Sequence, residues 1–221
     1  MAVGSRARVC ALVSGGLDSL LLVRLLLGEG ATVHPLYVRG GLIWEPAELW
    51  WLRRWLCALP RTRLKPLVVV PVPLRSLYGR HWSITGRHVP SSRSPDRAVY
   101  LPGRNVVLLS HAAIYAAQHD ISTLAMGLLS GNPFGDATPA FFERFAACVS
   151  QALSRSIRVR APLRARTKAQ WMAAAVGQPL GLTFSCIQPS GRRHCGRCNK
   201  CAERQRTFRQ AGILDPTRYY R

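Results

Sequence analysis

The sequence predicts an α/β fold: a doubly wound, mainly parallel five-stranded sheet with helices on both faces. Two observations lead to this prediction. Short apolar runs of strand length alternate with longer helix-like runs along most of the chain, which is typical of parallel sheets that helices cover on both sides. The first strand-like and helix-like runs are joined by a tight turn with two glycines, residues 14–19. Ligands bind at the carboxyl ends of strands in such folds, so this turn is a candidate binding site.

The individual elements can be assigned in chain order. Short apolar runs between turn residues predict strands at residues 9–13, 32–38, 67–72, 123–127 and 157–161. Apolar residues at helical spacing predict helices at residues 19–27, 46–59, 106–118, 139–153 and 167–176. The stretch from residue 77 to residue 99 is polar and has no periodicity. It predicts a long loop, with a mobile segment at about residues 78–99.

Length and composition limit the class of protein. The chain has 221 residues, of which 48% are apolar, enough for one well-buried domain with a small appendage. No apolar run approaches the ~20 residues of a membrane helix, so we expect a soluble cytoplasmic protein without a membrane partner. The net charge is +21, but the arginines are spread along the whole chain. This distribution favours a solvated basic surface over nucleic-acid binding.

The seven cysteines fall into two groups. Three lie singly in apolar segments and are predicted to be buried free thiols: Cys10, Cys57 and Cys148. Four crowd one window near the carboxyl end: Cys186, Cys195, Cys198 and Cys201. Four thiolates complete a tetrahedral zinc shell and leave no open position, so this group predicts a structural zinc site, with an iron–sulfur cluster as the alternative. We therefore expect a zinc-binding subdomain at residues 181–221, after a domain at residues 1–180.

The turn after the first strand has the composition of an anion-binding loop: Ser14, Gly15, Gly16, Leu17, Asp18 and Ser19. Its glycines allow the backbone to approach an oxyanion, and the N–H groups at the following helix start can donate to it. The lysine of the common nucleotide loop G-x-x-x-x-G-K-[ST] is absent. Asp18 either caps the helix or binds a cation, and a plain strand–helix turn is the alternative interpretation.

The same six residues resemble the pyrophosphate loop of the ATP-pyrophosphatase (PP-loop) superfamily, whose fold is of the adenine-nucleotide α-hydrolase type. Further motifs are similar to those of the QueC family, the 7-cyano-7-deazaguanine synthases. They are Pro102-Gly103-Arg104-Asn105 with Leu109-Ser110, Asp136 with Pro139 and Phe141, Ala161-Pro162-Leu163 with Lys168, and a tail with Ser185-Cys186, Cys195-Gly196-x-Cys198-x-x-Cys201, Arg204, Phe208 and Asp215-Pro216-Thr217-x-Tyr219. The likeness spans nearly the whole chain in order.

The resemblance implies an ATP-dependent ligase that acts on a small molecule. Members adenylylate 7-carboxy-7-deazaguanine, let ammonia displace AMP to give the amide, and convert the amide to the nitrile with a second ATP. On this basis we expect ATP, Mg²⁺ and structural zinc as cofactors, and a homodimer. Asp18 would hold Mg²⁺, and Arg104 and Lys168 would offset charge on the transferred phosphate. Asp136 would pair with the N–H edge of the deazaguanine.

Two segments depart from the family pattern. Where the family usually has Tyr-Pro-Asp-Cys-Arg-Pro-Glu-Phe, this chain has Thr138 and Ala140 in place of the Arg and the Glu. Trp44 stands near the position of a family histidine, although Glu45 is kept. One alternative is therefore a divergent enzyme that stops at the amide, or joins the deazaguanine to an amine on a protein partner, as in an antiphage system. A tRNA-modifying PP-loop enzyme and a basic nucleic-acid-binding zinc module are the remaining alternatives.

Overall fold

A five-stranded sheet organises residues 7–129 and 131–220, the part of the chain that the computed structural model describes. In chain order the strands are β1 (Arg8–Leu12), β2 (Thr32–Arg39), β3 (Val68–Pro71), β4 (Thr123–Met126) and β5 (Arg158–Arg160). Their order across the sheet is β3-β2-β1-β4-β5, and every pair is parallel. The first strand is therefore central. Residues 1–6 and 221, which belong to the predicted domain ranges, lie outside the described residues.

The helices surround this sheet. In chain order they are α1 (Leu17–Gly28), α2 (Glu45–Cys57), α3 (Arg75–Tyr78), α4 (Trp82–Thr85), α5 (Arg104–Gln118), α6 (Pro139–Leu153), α7 (Lys168–Ala173) and α8 (Asn199–Gln210). The five predicted helices correspond to α1, α2, α5, α6 and α7, with ends that differ by at most three residues. Within residues 7–129 and 131–220, no helix has both the length and the apolar character that crossing a bilayer requires.

The segment at residues 77–99 differs from the predicted irregular loop. It contains α4 and the end of α3, and it then runs along the cysteine-rich tail. Ser91 forms an antiparallel bridge with Cys198, and the Ser92 N–H donates to the Arg197 carbonyl at 2.8 Å. Helices of one turn are too short to show a periodic pattern, which is why the sequence did not reveal them. The tail residues that bond to this segment, Arg197 and Cys198, are also far from it in the sequence.

Two apolar clusters form the core, one on each face of the sheet. On one face Leu20 and Leu22 of α1 and Trp55 of α2 have no exposed surface. On the other face Leu109 of α5 and Phe142 of α6 are buried against the sheet. Helices therefore cover both faces, which confirms the doubly wound α/β fold class.

A third apolar cluster joins the cysteine-rich tail to the segments around residues 14–19. It contains Leu42 and Trp44 from the connection between β2 and α2, Leu101 before α5, and Phe184 with the four clustered cysteines. The tail thus packs directly on the edge of the sheet where strands end and helices begin. The boundary at residue 180 between the main domain and the zinc-binding subdomain stays a prediction.

The three isolated cysteines differ in exposure. Cys10 on β1 is buried, as predicted, but Cys57 and Cys148 are exposed, so the prediction of buried thiols was wrong for these two. On α6 the residues that pack against the sheet include Phe145 and Val149. Cys148 lies between them in sequence and points to another side of the helix. An apolar neighbourhood in the sequence does not define which side of a helix is buried.

Candidate functional site

Residues 14–19 connect β1 to α1, which begins at Leu17 with Gly16 as its N-cap. The Ser14 N–H donates to Oγ of Ser19 at 2.8 Å, and the two serine hydroxyls lie 3.1 Å apart. The Gly16 N–H donates to Oγ of Ser14 at 3.2 Å. The first N–H groups of α1 have no partner in the helix's own ladder, and Gly16 has no side chain to cap them. The loop therefore has the donors that an anion requires.

Two glycines allow the loop to pack closely against its surroundings. A Cβ atom on Gly15 would lie 2.9 Å from the Glu48 carbonyl oxygen, and one on Gly127 would lie 2.8 Å from the Asp18 carbonyl oxygen. The Gly15 carbonyl also accepts a 2.6 Å hydrogen bond from the Phe184 N–H. The backbone of residues 14–19 is therefore held between α2, the end of β4 and the cysteine-rich tail.

The loop lines a cavity of about 330 Å³. Asp18 of the loop lines it together with three other predicted site residues, Arg104, Asp136 and Lys168. The remaining loop residues that line it are Ser14, Gly16, Leu17 and Ser19. Gly15 instead lies behind the loop, against Glu48. Residues as far apart in sequence as Ser14 and Lys168 thus converge on one site.

Lys168 is shared by two carboxylates in this cavity. Its Nζ lies 3.3 Å from Oδ1 of Asp18 and 2.7 Å from Oε1 of Glu203. The second carboxylate oxygen of Glu203 binds Lys200 at 2.7 Å. Asp18 and Glu203 raise the pKa of Lys168 far above its ordinary value, although burial opposes them. Lys168 and Lys200 lower the pKa of Glu203 to about 2 against the opposing effect of burial.

Sequence analysis missed Glu203 and Lys200. Their one signal is their spacing of three residues on a helix that starts inside the cysteine run. That spacing identifies a pair on one helix face, but it does not reveal that the face meets Lys168, which is 35 residues away from Glu203 in sequence.

Arg104 lies at the first position of α5 and faces a buried acidic residue. Glu48 of α2 is 8% exposed, lines the cavity and accepts a 2.7 Å hydrogen bond from the Tyr37 hydroxyl. Burial raises the pKa of Glu48, while the Arg104 guanidinium and the Tyr37 hydroxyl act to lower it. Arg104, whose positive charge is unfavourable at a helix start, thus lines the same cavity as Glu48, and no ion pair joins the two within the described residues. Glu48 was also missed in the sequence.

Asp136 lies in a short turn next to the start of α5. Its carboxylate accepts hydrogen bonds from the Asn105 N–H at 3.1 Å and from the Asn105 Nδ2 at 3.3 Å. Asn105 Nδ2 also donates to the Asp136 carbonyl at 3.0 Å. Nearby, the rings of Tyr100 and Phe134 have centroids 4.9 Å apart, and both residues line the cavity. The arrangement presents a fixed carboxylate beside two aromatic rings.

Glu45, which the family pattern shares, has a structural role instead. Its carboxylate accepts hydrogen bonds from three successive backbone N–H groups, those of Gly40, Gly41 and Leu42, at 2.7, 2.7 and 3.1 Å. These contacts fix the turn between β2 and α2. The adjacent Trp44 is buried, lines the cavity and stacks on Trp82 of α4 with ring centroids 5.5 Å apart.

The four cysteines of the tail form one buried cluster. The Sγ atoms of Cys186, Cys195, Cys198 and Cys201 all lie within 4.8 Å of one another. Two pairs are 3.9 Å apart, close to the separation of about 3.8 Å that Zn–S bonds of about 2.3 Å give in a tetrahedron. The cluster therefore has the composition and the spacing of a structural zinc site.

Backbone contacts support the cluster. The N–H groups of Gln188 and Cys195 point to Sγ of Cys186, and the Cys198 N–H points to Sγ of Cys195, each at 3.3 Å. Hydrogen bonds from the neighbouring thiols, led by that of Cys186, hold the pKa of Cys195 far below its usual value. His194 uses its Nε2 to accept from the Ser185 N–H at 3.1 Å. The metal-binding set is therefore the four cysteines.

Comparison with known proteins identifies the family. The family model for the queuosine biosynthesis protein QueC matches residues 8–212. The chain belongs to the QueC family. It is 34% identical to a 7-cyano-7-deazaguanine synthase of Anaeromyxobacter dehalogenans, over 99% of this chain and 98% of that protein. It is 32% identical to the Myxococcus xanthus protein of the same name, over 96% of this chain and 97% of that protein.

A solved structure shares the fold of this QueC chain. It is a 4-thiouridine synthetase in complex with RNA and bound ATP. The two chains superpose with a TM-score of 0.54 at 16% identity, over 93% of the QueC chain and 50% of the synthetase. At this identity the comparison supports the fold class alone.

The structure also locates the departures of this QueC chain from the family pattern. Thr138 is the N-cap of α6, where its hydroxyl accepts from the Phe141 N–H at 3.1 Å. Ala140 is exposed on the first turn of α6. Neither residue lines the cavity, whereas Asp136, which is kept, does. Two residues that depart from the pattern do line the cavity: Trp44, and Phe134 at the position of the family tyrosine.

Proposed function

We propose that this QueC chain is an ATP-dependent C–N ligase of the 7-cyano-7-deazaguanine synthase type. It adenylylates the carboxylate of 7-carboxy-7-deazaguanine, and ammonia displaces AMP to form the amide. A second ATP then activates the amide oxygen, which leaves with AMP as the nitrile forms. The observation that carries the proposal is the convergence of the 14–19 loop, Asp18, Arg104 and Lys168 on one cavity. A site with backbone donors, two cations and a carboxylate suits the transfer of AMP with release of pyrophosphate.

The loop and the two cations act on the phosphates. The carboxylate oxygen of the substrate attacks the α-phosphorus of ATP, and the bond to the β-phosphate oxygen breaks. The N–H groups at the start of α1 and the hydroxyls of Ser14 and Ser19 bind the departing pyrophosphate. Arg104 and Lys168 neutralise the charge that develops on the phosphates. Preformed donors need little reorganisation, so the loop contributes mainly to the transition state.

A carboxylate for Mg²⁺ is available at the start of α1. Oδ1 of Asp18 is buried and makes no hydrogen bond within the described residues. The Lys168 ammonium lies 3.3 Å from it, so the oxygen keeps the capacity to bind a divalent ion. Mg²⁺ prefers such oxygen ligands and usually accompanies nucleotide phosphates. When bound, it would shield the phosphate charge from the attacking carboxylate.

The deazaguanine would lie at the other end of the cavity, near Asp136. Each carboxylate oxygen accepts more than one hydrogen bond, so the Asn105 contacts leave Asp136 able to accept from a guanine-like N–H edge. Tyr100 and Phe134 offer apolar rings for the flat base. The zinc cluster has no open ligand position, and its role is to hold the tail in place.

A direct assay tests this proposal. The protein is incubated with ATP, Mg²⁺, ¹⁵N-labelled ammonium and 7-carboxy-7-deazaguanine, and mass spectrometry separates acid, amide and nitrile. We expect the labelled nitrile, with AMP and pyrophosphate formed for each activation. Arg104→Met should abolish the product, while Arg144→Met, which removes an exposed arginine of α6 outside the cavity, should leave it unchanged.

The assay also separates the alternatives. An accumulating amide without nitrile would contradict the second step and identify an enzyme that stops at the amide. Consumption of ATP with no product until a protein amine is added would identify a conjugating enzyme. No ATP turnover and no product, from protein that has its zinc, would contradict the proposed function altogether.

A further inference from the structure

Helix α8 brings two charged side chains from the cysteine cluster into the nucleotide cavity. The helix begins directly after Cys198, and Cys201 lies in its first turn. Lys200 and Glu203 lie on the face that meets the cavity and line it. The cluster and the catalytic cavity therefore share one helix, and no flexible linker separates them.

Glu203 is held in a fixed position on this helix. Cys201 and Arg204, on either side of it in sequence, have 0% and 1% of their surface exposed. The Arg204 guanidinium donates to Oγ1 of Thr217 at 2.6 Å, to Oγ1 of Thr183 at 2.8 Å and to the Leu180 carbonyl at 3.1 Å. The hydrogen bonds of Arg204 restrain the rotation of α8, and a metal ion bound at Cys201 would restrain it further. The orientation of Glu203 is thus set by the tail.

Lys168 is placed unequally between its two carboxylates. Its Nζ makes a 2.7 Å hydrogen bond to Glu203, whereas Asp18 is at 3.3 Å and its Oδ1 makes no hydrogen bond within the described residues. Asp18, Lys168, Glu203 and Lys200 carry two negative and two positive charges, so the group is neutral without ligand. Without the charge of Glu203, the nearest carboxylate for the Lys168 ammonium would be Asp18.

We propose that Glu203 is a positioning residue that draws Lys168 toward itself, so that Lys168 stays at 3.3 Å from Asp18 and closes no tighter contact with it, and that Glu203 thereby keeps the Asp18 carboxylate available to Mg²⁺. The inference rests on the proposed function, because it concerns the Mg·ATP that this function consumes. Glu203 acts through Lys168 and needs no contact with the reacting atoms. Without its charge, Lys168 and Mg²⁺ compete for one carboxylate, and a higher Mg²⁺ concentration is needed to bind ATP.

Equilibrium binding of ATP tests the inference without any turnover. Isothermal titration calorimetry measures the ATP affinity of the zinc-loaded protein over a series of Mg²⁺ concentrations. We expect Glu203→Gln to raise the half-saturating Mg²⁺ concentration about tenfold, which corresponds to about 1.4 kcal/mol. Glu203→Asp, which keeps the charge, should recover part of this loss. Glu29→Gln, which removes the partner of Arg160 on the surface, should behave as the unmodified chain.

Four results would decide against the inference, its basis or the proposed substrate. An unchanged Mg²⁺ dependence in Glu203→Gln protein with full zinc content would overturn it. If that variant loses zinc, Lys200→Met gives a second test. In Lys200→Met protein, Lys168 is the remaining lysine that binds Glu203, so Glu203 should hold Lys168 at least as firmly as before. A rise in the Mg²⁺ concentration needed to bind ATP would therefore contradict the inference. If the unmodified chain binds no ATP, the proposed function fails and the inference fails with it. A shifted Mg²⁺ dependence without any product from 7-carboxy-7-deazaguanine would contradict only the proposed substrate.

Discussion

Replacing Gly127 by alanine would disturb the contact between β4 and the first turn of α1. Gly127 directly follows β4 and lines the cavity. A Cβ atom there would lie 2.8 Å from the Asp18 carbonyl oxygen, 3.0 Å from its carbonyl carbon and 3.4 Å from the Ser19 nitrogen. All three are backbone atoms, so no side chain can rotate to make room. The strand and the helix start must move apart.

The geometry gives the size of the effect. Inserting a methyl group into a well-packed interior costs about 1–3 kcal/mol. Here the upper half of that range applies, because β4 lies next to the central strand and cannot shift freely. For a chain of this length, each kcal/mol lowers Tm by about 2–4 °C, so we expect a fall of about 4–12 °C. Misplacing the loop by about 1 Å can also reduce turnover about 100-fold.

Thermal unfolding and ATP titration together measure this effect. The matched control is Gly28→Ala at the other end of α1, where an added Cβ meets nothing within 4 Å. That change should leave ATP binding intact and stabilise the chain by at most about 1 kcal/mol. If Gly127→Ala unfolds at the same temperature as the unmodified chain and binds ATP equally well, the close packing inferred here is wrong.

Three further predictions concern the phosphates, the metal and pH. Arg104→Met and Lys168→Met should each lower the rate of ATP–pyrophosphate exchange by about 100-fold or more, and unchanged exchange would remove that residue from the site. Cys201→Ser should lower the zinc content in elemental analysis and the midpoint of urea unfolding, whereas full zinc retention would contradict the four-cysteine site. Burial, followed by nearby positive groups, lowers the pKa of His34. As pH falls, the imidazole of His34 is therefore protonated in the unfolded chain before it is protonated in the folded one. The free energy of unfolding should fall as pH drops below about 6.5. His34→Gln should reduce this loss, measured by urea titrations at pH 7 and pH 5.

Local patterns predicted much of the fold. The apolar run of β1, the glycine turn and the apolar start of α1 are adjacent in sequence, so the strand–loop–helix unit could be identified before its structure was known. The same holds for α6, whose predicted and observed ends coincide at residues 139 and 153. α8 was not predicted, because it is largely polar and the side chains that it buries include the polar Asn199, Arg204 and Thr207.

The site was predictable only where its residues form motifs. The four cysteines and the loop are compact in sequence, and both were identified there. Glu203 and Glu48 reach the cavity through long-range packing, which cannot be read from a sequence. The structure identifies them by their hydrogen bonds, from Lys168 to Glu203 and from Tyr37 to Glu48. Exposure of Cys57 could not be predicted either, because it depends on which side of α2 meets the sheet.

A crystal structure with a non-hydrolysable α,β-methylene analogue of ATP and Mg²⁺ tests the central claim most directly. The account predicts the β- and γ-phosphates within hydrogen-bond distance of the N–H groups of residues 15–19, with Mg²⁺ on the Asp18 carboxylate. Phosphates bound elsewhere in the cavity, with the 14–19 loop unliganded, would contradict it.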